Sequence, residues 1–269
     1  MARNPIKALP ELPTRRSSSR SPLPDWVSNF QTNDEIATLR KLTKLKSEMG
    51  DLKQRIELQQ QALLYLEELK QLVAGSGDDF RDAVAAALTA LGLKVVDGPH
   101  PRADLLATNG KRLFAIETEG LDGCARESNV TQASRWAADV DSTLWLAADE
   151  RESDLLGYAE QIAKLNIEIQ DDPDQYCKGI AVIGTFRKIP LDQRTEQDFP
   201  EPVMRMLNRS KVCAMTGLEL FSVCVRSRGH AELRSAFQEA LFTTDGVFEM
   251  SNGWLSFLTS ASAQGTPDY

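Results

Sequence analysis

The sequence lacks the residues on which several enzyme classes depend. It contains only two histidines, His100 and His230, and they stand far apart in the chain. A serine or cysteine hydrolase that uses a histidine base is therefore poorly supported. Neither G-x-x-x-x-G-K-[ST] nor G-x-G-x-x-G occurs, which argues against a loop that binds nucleotide phosphates. Carboxylates remain as the candidate functional groups.

Zinc ligands and membrane-spanning runs are missing as well. The four cysteines, Cys124, Cys177, Cys213 and Cys224, show no CxxC spacing and no histidine at a zinc-like distance. This pattern is typical of reduced thiols in an intracellular protein, so we expect a cytoplasmic location. No apolar run approaches the ~20 residues of a membrane span, and the N-terminus lacks the apolar region of a secretory signal.

The bulk composition allows one core and an appendage. The chain has 269 residues, of which 42% are hydrophobic and 26% are charged. This length is sufficient for one sizeable domain core. The formal net charge of -8 argues against broad non-specific adhesion to nucleic acid, although a local basic patch remains compatible with it.

Residues 1–31 form a segment rich in Pro, Ser and Arg. Five basic and two acidic residues give this segment a charge of +3, opposite in sign to the whole chain. Its composition predicts a tail without fixed structure of its own. It is either a solvated tail or a tether to a protein partner. The small, polar residues 251–269 similarly predict a flexible C-terminal tail.

Residues 32–74 predict a coiled-coil helix. Asn33 is a plausible N-cap, and Asp34 and Glu35 fall in the first turn. Apolar residues recur at heptad positions a and d, with Gln59 as a polar exception: Leu42, Leu45, Met49, Leu52, Ile56, Leu63, Leu66 and Val73. A period of 3.5 favours a coiled-coil homo-oligomer, and we expect a dimer. The alternative is a single amphipathic helix packed on its own domain.

Residues 75–250 predict an α/β domain with a mixed sheet flanked by helices. Strands and helices alternate through most of this segment, and a hairpin makes part of the sheet antiparallel. The predicted strands are LKVVDG, ADLLAT, KRLFAIETE, STLWLAA, GIAVIGTF and KVCAMT. The predicted helices are 80–92, SNVTQASRWAADV with Ser128 as N-cap, 153–165, GLELFSVCVRS and HAELRSAFQEALF.

The hairpin sets the positions of three acids. With Asn109-Gly110 as a two-residue turn, paired residue numbers sum to 219, so Asp104 lies opposite Ala115. Side chains alternate between faces, which places Glu117 diagonally from Asp104 and Glu119 next along the same row. Acids on one face repel each other unless protons or a cation intervene, and two carboxylates at this spacing can hold a divalent ion.

These motifs resemble those of the restriction-endonuclease-like, or PD-(D/E)xK, superfamily over about residues 78–216. Asp104 matches the motif aspartate, with Ala103 in place of the proline, and Glu117 matches the second acid. Glu119 stands where the family has lysine, and Gln132 falls where many members have a glutamine facing the site. The resemblance implies metal-dependent phosphodiester cleavage, with Mg²⁺ or Mn²⁺ held by Asp104 and Glu117.

The departures from the family pattern leave two hypotheses. Arg81 occupies the usual acid position of the first helix, near Asp78, Asp79 and Asp82. The first hypothesis is an atypical nuclease, dimerised by its coiled coil, with Asp104, Glu117, Glu119 and Gln132 as catalytic residues. In it the missing positive charge could come from Lys94, Lys111 or Arg126. The second is a catalytically inactive pseudonuclease that serves as an assembly, sensor or regulatory module. By analogy alone, either would fit DNA binding in defence or DNA processing.

Overall fold

A computed structural model describes residues 24–99, 103–145, 156–166 and 177–250. The chain divides into two units, Met1–Gln60 and Gln61–Tyr269. The predicted tails over 1–23 and 251–269 lie outside the described residues. None of the described helices is long and apolar enough to cross a membrane.

The first unit contains a short 3-10 helix, Asp25–Asn29, and most of helix α1, Asn33–Leu69. Thr32, rather than the predicted Asn33, caps α1. Its hydroxyl accepts the N–H of Glu35 at 3.2 Å, and the Glu35 carboxylate accepts the N–H of Thr32 at 2.7 Å. This reciprocal pair is a capping box, which satisfies backbone donors at the start of a helix.

Most of the apolar heptad residues of α1 are exposed to solvent. Six of them have relative exposures of 46% to 60%: Leu42, Leu45, Met49, Leu52, Ile56 and Leu63. The helix itself matches the prediction, and the described part of the chain does not bury this stripe. Pairing with a second helix stays a prediction.

The second unit is an α/β domain. Its helices are α2 (Gln71–Ala74), α3 (Gly77–Ala90), α4 (Glu127–Trp145), α5 (Leu156–Leu165), α6 (Glu201–Ser210), α7 (Gly217–Arg226) and α8 (Ala231–Thr243). Its strands are β1 (Lys94–Asp97), β2 (Leu105–Thr108), β3 (Leu113–Gly120), β4 (Cys177–Gly184), β5 (Cys213–Thr216) and β6 (Gly246–Val247).

The six strands form one sheet in the order β1-β2-β3-β4-β5-β6. The pairs β1–β2 and β2–β3 are antiparallel, and the remaining pairs are parallel. The predicted α/β class with a mixed sheet is therefore confirmed. Strand β4 is buried along its whole length, and even Lys178 lies inside, where its ammonium group pairs with Asp245.

Helices cover both faces of the sheet. On one face, Phe114 and Ile116 of β3 pack in the cluster that contains Phe80 of α3 and Leu220 of α7. On the other face, residues such as Ala115 pack in clusters formed with α4, α5 and α6. The alternation along β3 thus directs its odd-numbered side chains toward α4, and this is the face that carries Glu117 and Glu119.

Helix α4 differs from the prediction at both ends. It begins at Glu127, so Ser128 is not its N-cap; instead the Asn129 side chain accepts the N–H of Arg126 at 3.1 Å. The predicted strand STLWLAA is wrong over its first four residues, because α4 continues to Trp145. The Thr143 hydroxyl donates to a carbonyl one turn earlier, as it does inside helices. Residues 146–148 lie outside the described residues.

The predicted register of the β2–β3 hairpin is also wrong. Thr108 pairs with Leu113 rather than with Lys111, so the connection has four residues, 109–112. The Asn109 side chain explains the longer loop, since its oxygen accepts the N–H groups of Lys111 and Arg112 at 3.0 and 2.9 Å. Because the shift is by two residues, each side chain keeps its predicted face.

Candidate active site

Asp104 lies directly before β2 and is fixed against β3 by Thr118. Its Oδ2 atom accepts both the Thr118 N–H at 2.8 Å and the Thr118 hydroxyl at 2.9 Å. The observed register pairs Leu105 with Ile116, so the next position outward sets Asp104 opposite Glu117. The two acids are therefore cross-strand neighbours, closer than the predicted diagonal.

Glu117 is a carboxyl group inside the protein. Only 5% of its surface is exposed. Burial raises its pKa to about 8, the negative charges of Asp104 and Glu119 add to the rise, and a hydrogen bond from Asn129 opposes it. A group with this pKa holds its proton at neutral pH, unless a cation supplies compensating charge.

Asn129 links the two glutamates of β3. It lies in the first turn of α4 and is 1% exposed. Its amide nitrogen donates to Glu117 Oε1 at 3.3 Å and makes a short hydrogen bond to Glu119 Oε2. Asn129 is not among the residues that the sequence predicts for the site. The feature that could have identified it is an amide side chain in the helix after the acidic strand, one turn before Gln132.

Glu119 faces the solvent side of this cluster. Its side chain is 38% exposed, and its Oε1 atom lies 4.0 Å from Nη1 of Arg126. Gly120 follows, at a point where the backbone of Gly75 approaches so closely that a Cβ would lie 2.3 Å from its carbonyl oxygen. The end of β3 is thus packed against the α2–α3 connection, which holds the strand that carries both glutamates.

Two residues suggested by the resemblance lie apart from these contacts. Gln132 is on an exposed part of α4, one turn after Asn129. Arg81 is on α3, where its guanidinium pairs with Asp78 at 3.3 Å and with Asp82 at 3.1 Å. The structure therefore brings together Asp104, Glu117 and Glu119 with Arg126, one of the three cations suggested by the sequence, and it adds Asn129.

Two residues of the cluster have side chains that suit a small divalent cation. Asp104 and Glu117 offer hard carboxylate oxygens, and Mg²⁺ commonly takes one or two carboxylates and keeps several waters. Burial and then the charge of Asp104 raise the pKa of Glu117, and a bound cation would favour the ionised carboxylate against both. Over the described ranges, no cluster of three or more His, Cys, Asp or Glu side chains has an arrangement able to hold a metal ion.

The class of the fold follows from the chain's own elements. The mixed six-stranded sheet, its flanking helices and the long N-terminal helix are consistent with a restriction-endonuclease-like fold.

Comparison with known proteins adds one structural likeness. No protein-family model matches the chain, and no curated protein matches it. Among solved structures, that of the restriction endonuclease FokI bound to DNA aligns at 8% identity with a TM-score of 0.43. The alignment covers 69% of this chain and 30% of the FokI chain.

Proposed function

We propose that this protein is an atypical metal-dependent nuclease that hydrolyses phosphodiester bonds of nucleic acid. The observation that carries the proposal is the pair formed by Asp104 and Glu117. One acid is buried and the other is fixed by two hydrogen bonds, so the two carboxyl groups are held beside each other. A strand that served only to pack would gain stability from an apolar residue at position 117.

Each residue of the cluster has a separate task in this proposal. Asp104 and Glu117 hold Mg²⁺ or Mn²⁺, and the bound ion would polarise the phosphate and lower the pKa of a water molecule. Thr118 keeps Asp104 in place, and Asn129 orients both glutamates. Glu119, which is partly exposed, accepts the proton of the attacking water. Gln132 contacts the substrate from the surface of α4.

The coiled coil gives the proposed enzyme a second site. The exposed apolar stripe of α1 pairs with the same stripe of another copy, which removes six large side chains per helix from water. A dimer of this kind carries two sites, and two sites can cut both strands of a duplex.

A pseudonuclease that serves as an assembly module is the second candidate. Glu119 cannot supply the positive charge of the family's lysine, and this substitution favours a lost activity. The acids would then be a remnant held by Thr118 and Asn129, and the exposed stripe of α1 would be the functional surface.

One experiment separates the two candidates. Purified protein is incubated with DNA and with RNA in Mg²⁺ or Mn²⁺, beside the variants Asp104→Ala and Glu117→Ala. The nuclease proposal expects cleavage by the wild type alone and a metal-dependent rise in its melting temperature. If the wild type shows no cleavage and no metal-dependent rise in melting temperature, the pseudonuclease candidate is supported. Equal cleavage by wild type and variants would identify a contaminating enzyme.

A further inference from the structure

We infer that Arg126 supplies the positive charge of this site and contacts a phosphate of the substrate. This inference rests on the proposed function. Position 119, where the family resemblance expects a lysine, carries an acid, yet that acid pairs with a guanidinium from the loop before α4. The charge expected on the strand thus comes from the neighbouring loop.

The backbone that carries Arg126 is held at several points. The Leu121 N–H donates to Gly184 O at 2.6 Å, and the Ala125 N–H donates to Asp198 O at 2.9 Å. The Arg126 N–H itself donates to Asn129, whose amide group binds both glutamates. The loop therefore fixes the start of the Arg126 side chain relative to Glu117, which lowers the entropy lost when the side chain binds a ligand.

The guanidinium group of Arg126 is available to a ligand. Its side chain is 65% exposed, and its separation of 4.0 Å from Glu119 indicates a loose ion pair. Other nearby cations are engaged more closely. Arg187 and Lys188 both bind Asp122, at 2.6 and 2.7 Å. Among the described residues, Arg126 is the cation that ion-pairs with an acid of this cluster.

The chemistry of a guanidinium group suits this position. Its planar set of N–H donors matches two oxygens of a phosphate, and it keeps its charge at all relevant pH values. On binding a phosphate it offsets the negative charge that develops there, while Glu119 is freed to accept a proton. The ion pair seen in the structure is then the resting partner of Arg126.

The cleavage test uses Arg126→Ala, Arg126→Lys and Arg135→Ala. Arg135 is exposed on α4, so its loss removes an equal charge at a position outside the cluster. We expect Arg126→Ala to lower the cleavage rate about 100-fold, as removal of one transition-state donor does. Arg126→Lys keeps part of the rate, and Arg135→Ala keeps all of it.

A binding test gives a readout independent of catalysis. The affinity for a short fluorescent DNA duplex is measured by anisotropy in Ca²⁺ over a series of salt concentrations, and a matched RNA duplex is tested in parallel. Arg126→Ala should weaken binding and reduce the salt slope by about 1, as expected for one lost phosphate contact. Arg135→Ala should leave both quantities unchanged.

The outcomes distinguish this inference from the proposed function. If Arg126→Ala cuts and binds like the wild type, or if Arg135→Ala is equally impaired, the inference is overturned. If the wild type binds the duplex but never cuts it, the proposed catalysis fails, and a selective loss of affinity in Arg126→Ala still supports the phosphate contact. A wild type that neither binds nor cuts overturns both.

Discussion

Helix α1 and strand β3 depart in opposite ways from the rule that apolar side chains are buried and charged ones exposed. Along α1, large apolar side chains such as Leu45 and Leu52 are in water, with exposures of 60% and 55%. At the end of β3, a carboxyl group, Glu117, is 5% exposed. Burial of the first and solvation of the second would each lower the free energy of the folded state. Each region therefore motivates one of the proposals above, a second helix in one case and a bound cation in the other.

The largest effect is expected from Asp104→Asn, which removes the charge and keeps an oxygen that can accept the Thr118 hydrogen bonds. If a cation balances the acid pair, the cleavage rate should fall about 1,000-fold, since a lost metal contact costs several kcal/mol. Cleavage kinetics in Mg²⁺ provide the measurement. Unchanged kinetics would show that cleavage does not depend on the charge of Asp104.

The next effect concerns α1 and the substitution Ile56→Asp. Ile56 occupies heptad position a, so the aspartate should raise the dissociation constant of the dimer about 100-fold or more, because each copy loses a buried apolar contact. Sedimentation or light scattering measures the mass. Leu58→Asp is the matched control, since Leu58 is 56% exposed but lies off the stripe. A wild type that is monomeric, or equal dissociation by both variants, would contradict the coiled coil.

A smaller effect is expected in the pH dependence of stability, tested with Glu117→Gln in EDTA. The pKa of Glu117 is about 8 in the folded state, above its ordinary value. The unfolded chain therefore releases this proton at a lower pH than the folded protein does. The wild type should therefore lose stability as the pH rises from about 4.5 to 8, and the glutamine variant should not. Melting temperatures should agree at pH 5 and differ by several degrees at pH 9, with the variant higher. A wild type that matches the variant at both pH values would mean that Glu117 ionises normally.

The smallest effects compare Asn129 with Gln132, two amides one turn apart on α4. Asn129→Ala removes a buried donor from two carboxylates and should cost about 1–3 kcal/mol of unfolding free energy. Gln132→Ala changes an exposed residue and should stay within about 0.5 kcal/mol. Chemical denaturation measures both. Equal losses of unfolding free energy would show that the hydrogen bonds of Asn129 to the two glutamates do not stabilise the protein.

Elements with long, consistent patterns, such as α1 and β4, were predicted correctly. Helix α1 has 37 residues and repeats its heptad from Leu42 to Leu66, and strand β4 contains the apolar run 179–184, so local propensity and periodicity agree in both. The run STLWLAA was too short for its periodicity to distinguish a strand from a helix. Leu144 and the preceding Val140 follow the helical spacing of α4, and both pack in the cluster against the sheet, which favours the helix.

The acids of the site could be placed on one face, but their contacts could not be predicted. The side chain of Asn109 replaced a two-residue turn by a longer loop, which moved Asp104 from a diagonal to a direct position. Asn129 and Arg126 join the cluster through α4 and the loop before it. Contacts of this kind depend on how a helix docks on a sheet, which no local pattern encodes.

The ion pair of Lys178 and Asp245 has a consequence for β6, a strand of only two residues. The Lys178 side chain is 3% exposed, and Asp245 directly precedes β6. Detachment of this edge would leave an ammonium group inside the sheet without its counter-charge, which is strongly unfavourable. Opening of β6 is thus coupled to opening of β4. The backbone amide of Phe248, which donates to Ala214 O at 2.7 Å, should accordingly exchange its hydrogen as slowly as the central strands do, rather than at the rate of a frayed edge.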